Sequence, residues 1–229
     1  MPLPRPPSQA DSQPQAWLQH GAGQSLLRDI ESVAIPELSR VFGQFGLYLH
    51  PSGGFSQELP GNMLANVVRL HRDGDLLAGQ LRCFDPELPI GTASLSLVYS
   101  IFMLESSPEP EALLREFART LMPEGVALIV SLNPWSLARL RRFPRSDRVI
   151  GNMTLERMAR DAGLEVIRRQ RIGPCLPGSG RSASGARAGR WLDGFRAASL
   201  LVLRRREAGL TPLRKPSPAV SLRPGMSAG

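Results

Sequence analysis

The sequence predicts an α/β domain, with a mostly parallel seven-stranded sheet, helices on both faces and an antiparallel edge strand. Three observations predict it. Seven short apolar runs of strand length alternate with stretches of helical period. Two of them, ASLSLVYSIFML (93–104) and VALIVSLN (126–133), contain no charge, as in strands buried on both faces. The last two strand candidates are joined by a stretch with little helical pattern, which permits an antiparallel edge.

The elements follow in order. Residues 1–15, MPLPRPPSQADSQPQ, are proline-rich and polar and read as a disordered leader. From Trp17 the apolar residues Leu26, Leu27, Ile30, Val33, Ala34, Leu38 and Val41 recur at helical spacing. Pro36 should bend or divide that helix, and Gly43 and Gly46 should end the region. LYLH (47–50), ANVVRLHR (65–72) and GQLRCF (79–84) are strand candidates, the second closed by the turn signal Asp73-Gly74-Asp75 and the third by Asp85-Pro86.

After the fourth strand, Ser106 and Ser107 precede a helix with acids in its first turn and Leu113, Leu114, Phe117 and Leu121 on one face, closed by Pro123 and Gly125. TLERMARDAGLEV (154–166) predicts a helix N-capped by Thr154 and stopped at Gly163. EVIRRQRIG (165–173) and AASLLVLRRRE (197–207) are the last strands, separated by the low-complexity loop PGSGRSASGARAGR (177–190). The domain is thus expected over 16–207, followed by a basic, proline-rich tail over 208–229.

Composition bounds the function. With 229 residues and 42% hydrophobic side chains, the chain can bury one sizeable core. It has no run of about 18 uncharged apolar residues, so no membrane span is expected. The N-terminus lacks the apolar stretch of a secretory signal, and cytoplasmic residence is the expectation. Cys83 and Cys175 are far apart and His20, His50 and His71 are scattered, so neither a disulfide framework nor a metal site is expected.

Charge is segregated along the chain. Residues 1–138 carry 8 basic and 14 acidic side chains, and residues 139–229 carry 20 and 6. All basic residues except Lys215 are arginines. A basic C-terminal half suits an acidic protein partner, RNA or an anionic membrane surface, or is simply a solvated basic surface.

LYLHPSGG (47–54) is the stretch with the most chemical interest. An apolar run ends in a glycine turn, the place where an α/β domain often holds a nucleotide-like cofactor. The residues alone leave three readings open: a cofactor cradle, a remnant of one, or an ordinary exit from a strand.

The words ELPIGTASLSLVYSIFMLESSPEPEALLREFARTLMPEGVALIVSLNPWSLARLRR (87–142) decide more. They resemble the second half of the class I S-adenosylmethionine-dependent methyltransferases, and within that superfamily the bacterial methyltransferase type 11 group. LLREFARTLMPEG carries most of the resemblance, and NPWSLARLRR (133–142) and GLTPLR (209–214) are similar to one of its subgroups. The resemblance is good over 87–142, fair over 154–207 and poor over 1–85. It implies a Rossmann-like fold, S-adenosylmethionine as cofactor and methyl transfer to an acceptor that the sequence does not identify.

The cofactor half departs from the family pattern. The usual first strand ends in an acid and a Gly-x-Gly-x-Gly loop, whereas here the place has only Gly53 and Gly54, no acid, and Pro51 without an N–H donor. The following helix candidate, FSQELPGNMLANV, is interrupted by Pro60 and Gly61. The glycine loop is therefore a degenerate one.

The remaining site residues are implied by the resemblance. Gly53 and Gly54 would hold the methionine portion, Asp73 the ribose, and Phe84 and Asp85 the adenine. Asp73 reads equally as part of a plain turn, and Phe84 equally as core. Tyr99 and Ser100, at the end of the fourth strand, would line the cleft and orient an acceptor, or else pack. No catalytic base is identified. Asn133-Pro134-Trp135 follows the fifth strand and lacks a second proline, so it is not read as an amide-holding turn. Trp135 and SLARLRRF (136–143) suit a lid or a substrate-facing helix. The competing reading is a non-catalytic methyltransferase-like module that binds an acidic partner or RNA through its basic C-terminal half.

Overall fold

A computed structural model describes Leu18 and residues 21–51, 58–136, 149–174 and 192–206. The leader, Gly53, Gly54, Cys175, the helix proposed after Trp135, the 177–190 loop and the tail lie outside the described residues.

Helix α1 spans Gly21–Leu38 and buries Leu26, Ile30, Ala34 and Leu38, spaced about one turn apart. Pro36 falls in its last turn, so it marks the end of the helix and does not divide it. Strand β1, Phe42–His50, starts five residues before the predicted run and takes in Gly43 and Gly46. A Cβ at Gly43 would overlap the Ser96 side chain, and one at Gly46 would overlap Leu64, so both glycines permit close approach inside the sheet.

Strand β2 spans Met63–Asp73. The strand expected over 79–84 is replaced by two short ones, β3 (Leu76–Gly79) and β4 (Cys83–Phe84). Asp73 pairs with Leu76 across a two-residue turn whose first central residue, Gly74, has φ 62°, which suits a tight hairpin. The residues between β1 and β2 that are described, 51 and 58–62, form a bend and a turn and no helix.

Strand β5 (Leu95–Ile101) is buried throughout and leads through α2 (Met103–Ser106) to α3 (Pro110–Thr120). Ser107 Oγ accepts from the Glu109 N–H at 3.2 Å just ahead of α3, and Pro110 opens the helix where its missing N–H costs nothing. Strand β6 (Leu121–Leu132) follows at once, with Glu124 at φ 63° in the turn-like start of the strand. Helix α4 spans Asn152–Asp161 with Gly151 at its N-cap, so Thr154 lies inside the helix and not at its cap. Gly163, at φ 84°, ends it as the sequence predicts. Strand β7 (Leu164–Ile172), a short 3-10 helix (Leu192–Phe195) and strand β8 (Ala198–Arg205) complete the described chain.

The strands form one sheet in the order β4-β3-β2-β1-β5-β6-β8-β7. β2, β1, β5 and β6 run parallel to their neighbours in this set. The pairings leave only β3 and β8 pointing the opposite way. Two details differ from expectation. Among the described residues the sheet has eight strands and not seven, because the β2–β3 hairpin adds one. The antiparallel strand β8 is also not an edge: it lies between β6 and β7, and β7 is outermost.

Helices cover both faces. Phe117, Leu113 and Leu114 of α3 and Leu155 and Ala159 of α4 pack on one face with Leu49, Leu70, Val98 and Ile129. Ile30, Ala34 and Leu38 of α1 pack on the other with Tyr48, Leu97, Tyr99 and Leu128.

Several described arginines of the basic half are paired inside the fold. Glu37 of α1 accepts from Arg168 at 2.7 Å, from Gln170 at 3.0 Å and from Arg40 at 3.2 Å. Arg204 meets Glu124 at 3.3 Å, Arg206 meets Glu165 at 2.6 Å, and Arg169 pairs with Glu156. Arg205 donates to the carbonyls of Arg119 and Leu121 at the start of β6. These described arginines thus meet carboxylates and carbonyls of the same chain. No helix of the described residues is long and apolar enough to cross a membrane.

Candidate functional site

In a parallel sheet the side chains and loops at the carboxyl ends of the strands converge on one edge. Here that edge carries His50 of β1, Asp73 of β2, the residues after Ile101 of β5, and Asp85 directly after β4. His50 is in register with His71, and Leu49 with Ser100, so the chain leaves β1 between the tips of β2 and β5. Gly53 and Gly54 themselves are outside the described residues.

Asp73 is the last residue of β2, and its side chain is 59% exposed, with Arg82 at 3.6 Å. Phe84 is also solvent-facing, at 64% exposed, so it is not a core residue. Asp85 is the opposite case. Its carboxylate is 1% exposed and accepts from Arg72 Nη2 at 2.9 Å, and the Arg72 side chain is itself 4% exposed. Asp85 Oδ1, Arg72 Nε and Arg72 Nη1 have no hydrogen-bond partner among the described residues. The chain beyond Asp85 is fixed to α3, with Leu88 N–H donating to Glu116 at 3.2 Å and Arg119 donating to Leu88 O at 3.0 Å.

Tyr99 and Ser100 are adjacent on β5 and therefore point to opposite faces. Tyr99 belongs to the α1 face, where its ring stacks on Tyr48 with centroids 5.3 Å apart. Ser100 is fully buried. Neither hydroxyl has a hydrogen-bond partner among the described residues. Burial, and then Glu31 reaching from α1, pushes the Tyr48 hydroxyl well above an ordinary phenol. Burial, then Tyr48 and Glu31, does the same to Tyr99. Both tyrosines stay protonated near neutral pH, so neither serves as a base there.

Three features escaped the sequence. The first is Arg72. Strand alternation sets it on the same face as buried Leu70, a placement that demands an acidic partner. The second is the contact of His50 with His71, whose ring centroids lie 5.8 Å apart, and of His50 with Tyr48 at 5.1 Å. The two histidines are 21 residues apart in sequence and meet only through the β1–β2 register. The third is Phe102, fully buried at φ 51° at the tip of β5, a left-handed conformation that costs a bulky residue about 1–2 kcal/mol.

Asn133 has a structural role. Its Nδ2 donates to the Gly194 and Arg196 carbonyls at 2.7 and 2.8 Å, and its Oδ1 accepts from the Trp135 N–H at 3.1 Å. The amide is fully engaged, which agrees with its not being an acceptor-holding turn. Trp135 is 76% exposed. No group of three or more His, Cys, Asp or Glu side chains suited to a metal lies among the described residues.

Residues 55–129, from the segment before β2 into β6, match the family model of the methyltransferase domain. Among curated proteins, the malonyl-[acyl-carrier protein] O-methyltransferase of Laribacter hongkongensis is 33% identical over 92 residues, 35% of this chain and 31% of that protein. The biotin biosynthesis bifunctional protein BioHC of Cellvibrio japonicus is 29% identical over 93 residues, 37% of this chain and 18% of that one. The chain thus spans less than a third of the length of either.

Among solved structures, a putative methyltransferase in complex with the Trm112 methyltransferase activator of Haloferax volcanii aligns with a TM-score of 0.55 at 15% identity, covering 85% of this chain and 96% of the other. An S-adenosylmethionine-dependent methyltransferase of Aquifex aeolicus aligns at 0.54 and 13%, covering 84% and 98%. At such identities the likeness is one of fold.

Proposed function

We infer that this chain, a member of the class I S-adenosylmethionine-dependent methyltransferase superfamily, transfers a methyl group to a nucleophilic atom of an acceptor at the carboxyl edge of β1, β2 and β5. The strand order, with β8 inserted antiparallel between β6 and β7, is the observation that carries the reading. S-adenosylmethionine is the methyl donor of this domain, and when bound it supplies an activated methyl on a sulfonium. The protein's part is to bind the donor, exclude water and align the acceptor.

The residues at the edge fit that donor. Asp73 presents a solvent-facing carboxylate suited to the two ribose hydroxyls. Asp85 keeps one carboxylate oxygen without a partner among the described residues, a buried acceptor suited to an amino group. Phe84, in register with Leu76 and so on the face of Asp73, offers an exposed ring for stacking on a base. Gly53 and Gly54 would carry the loop past the methionine portion, while Tyr99 and Ser100 lie further down β5 with unspent hydroxyls. Tyr99 stays a neutral phenol, so its part is orientation. The O-methyltransferase name of the Laribacter relative favours an oxygen nucleophile as acceptor. The rival reading, an acidic partner or RNA held by the basic half, has less support, because Arg168, Arg169, Arg204 and Arg206 already meet carboxylates of the same chain.

Titration calorimetry with S-adenosylhomocysteine tests the reading. Binding at one site per chain is expected. Absence of heat at high protein concentration, with the chain folded, would contradict it.

A further inference from the structure

The two faces of the β2–β4 half of the sheet are covered unequally. Leu70 and Leu77 are fully buried on the face of the α3 cluster. By alternation Arg69, His71 and Asp73 of β2 point to the other face, where Val67 joins the cluster of α1. Register adds Ala78 and Leu76 of β3 and Phe84 of β4 to that face. None of these side chains is buried. A crossover between parallel strands usually lays a helix over the sheet. Here the described part of the β1–β2 crossover, 51 and 58–62, holds none, and β2 turns straight back into β3.

Arg69 is the unbalanced charge of this open face. Its neighbours are paired, Arg72 with Asp85 at 2.9 Å on the far face and Arg82 with Asp73 at 3.6 Å. Arg69 engages Gln80 only through its backbone, whose N–H donates to Gln80 Oε1 at 3.1 Å and whose carbonyl accepts from the Gln80 N–H at 3.2 Å. The guanidinium meets no acceptor among the described residues, although Nε is shut off from solvent. Such a group loses hydration that nothing in the described chain returns. His71 follows two residues on, about 7 Å along the same face. Its ring contacts His50, with centroids 5.8 Å apart, and its nitrogens have no partner among the described residues. Tyr48 and His50, in register with Arg69 and His71, bound the place on the β1 side. Ala78, opposite His71 on β3, is small and leaves room beside the imidazole.

We propose that the open face of β2–β4 binds a small anionic ligand, and that Arg69 and His71 hold its carboxylate or phosphate group. The guanidinium offers paired donors to two oxygens, and the imidazole offers another N–H beside them. The anion supplies the counter-charge that Arg69 lacks. The site is separate from the cofactor edge, because Arg69 lies four residues before Asp73, about 13 Å down β2 from its tip. It therefore holds whether or not the chain transfers a methyl group.

The test follows the imidazole resonances of the full chain by NMR, which is direct because the only histidines are His20, His50 and His71. Inorganic phosphate and acetate are titrated separately, with ionic strength held constant by chloride. A saturable shift of the His71 signals is expected with at least one of them, and the tighter binder names the group. Arg69→Gln should weaken that binding about 10-fold or more. Arg69→Lys, which keeps the charge, should restore part of it, and Arg115→Gln on the far side of the sheet should leave it unchanged. Circular dichroism establishes that each variant is folded, and should Arg69→Gln fail to fold, the wild-type response against chloride and Arg69→Lys decide. Shifts no larger than chloride produces, or a folded Arg69→Gln that binds as tightly as wild type, overturn the proposal. So do His71 signals that change with protein concentration in the absence of both anions, which would place a second copy of the chain on this face.

Discussion

Asp85→Ala should lower the unfolding free energy by about 3–5 kcal/mol, because it leaves the Arg72 guanidinium charged, buried and without its carboxylate. The loss has little to do with the strength of the ion pair as such. Two desolvated charges at 2.9 Å recover in attraction roughly what each lost in hydration, so removing both together is far milder than removing one. The double variant Arg72→Met, Asp85→Leu should therefore regain most of the stability lost by Asp85→Ala, since apolar side chains of similar size fill the same space. Urea unfolding of the two variants gives the answer. A double variant no better than Asp85→Ala would mean that the pair is held by contacts beyond its own charge. The same double variant should lose affinity for S-adenosylhomocysteine despite its stability, which separates the two jobs of Asp85.

Phe117→Ala is the second large effect, at about 3–5 kcal/mol. Phe117 is fully buried on α3 and packs in one cluster with Leu104, Leu113, Leu114, Leu121 and Ala127. Truncation removes most of a large apolar side chain, and the strands beneath, paired on both sides, relax little to fill the space. Arg115, exposed on the outer side of the same helix, is the control. Arg115→Ala should stay within about 0.5 kcal/mol of wild type. Since α3 also fixes Leu88 through Glu116 and Arg119, and so the chain just after Asp85, Phe117→Ala should weaken cofactor binding as well as the fold. A loss below about 1 kcal/mol would show that α3 contributes less to this face than its burial implies.

The parts of the fold visible in the sequence are those set by local pattern. Helix α3 was legible from its apolar spacing, its acidic start and the Pro-Glu-Gly that follows. β5 and β6 were legible as uncharged runs, and Asp73-Gly74-Asp75 as a turn. What escaped depends on pairing between distant residues. The first half of β1 looked like the end of the helical region because Gly43 and Gly46 are poor strand formers, and only the close approach of Ser96 and Leu64 explains them. The run 79–84 looked like one strand because nothing local reveals that 76–79 folds back on β2 first.

The site was legible in the same uneven way. Asp73 and Asp85 were proposed by resemblance, and both lie at strand ends on the same edge. Their environments were not foreseeable: one carboxylate faces water and the other is buried against Arg72. Arg72 was within reach of an argument from alternation, since Leu70 and Arg72 share a face and a buried arginine needs an acid. His50 and His71 meet only through strand register, which composition does not encode.

Amide hydrogen exchange, followed by peptide with and without S-adenosylhomocysteine, asks where on this fold the cofactor sits. Slowed exchange on ligand addition is predicted for residues 47–51, at the end of β1, and for residues 70–85, across the ends of β2 and β4. Protection confined to β7 and β8, with those two regions unchanged, would contradict the assignment of the site to the carboxyl edge of the parallel strands.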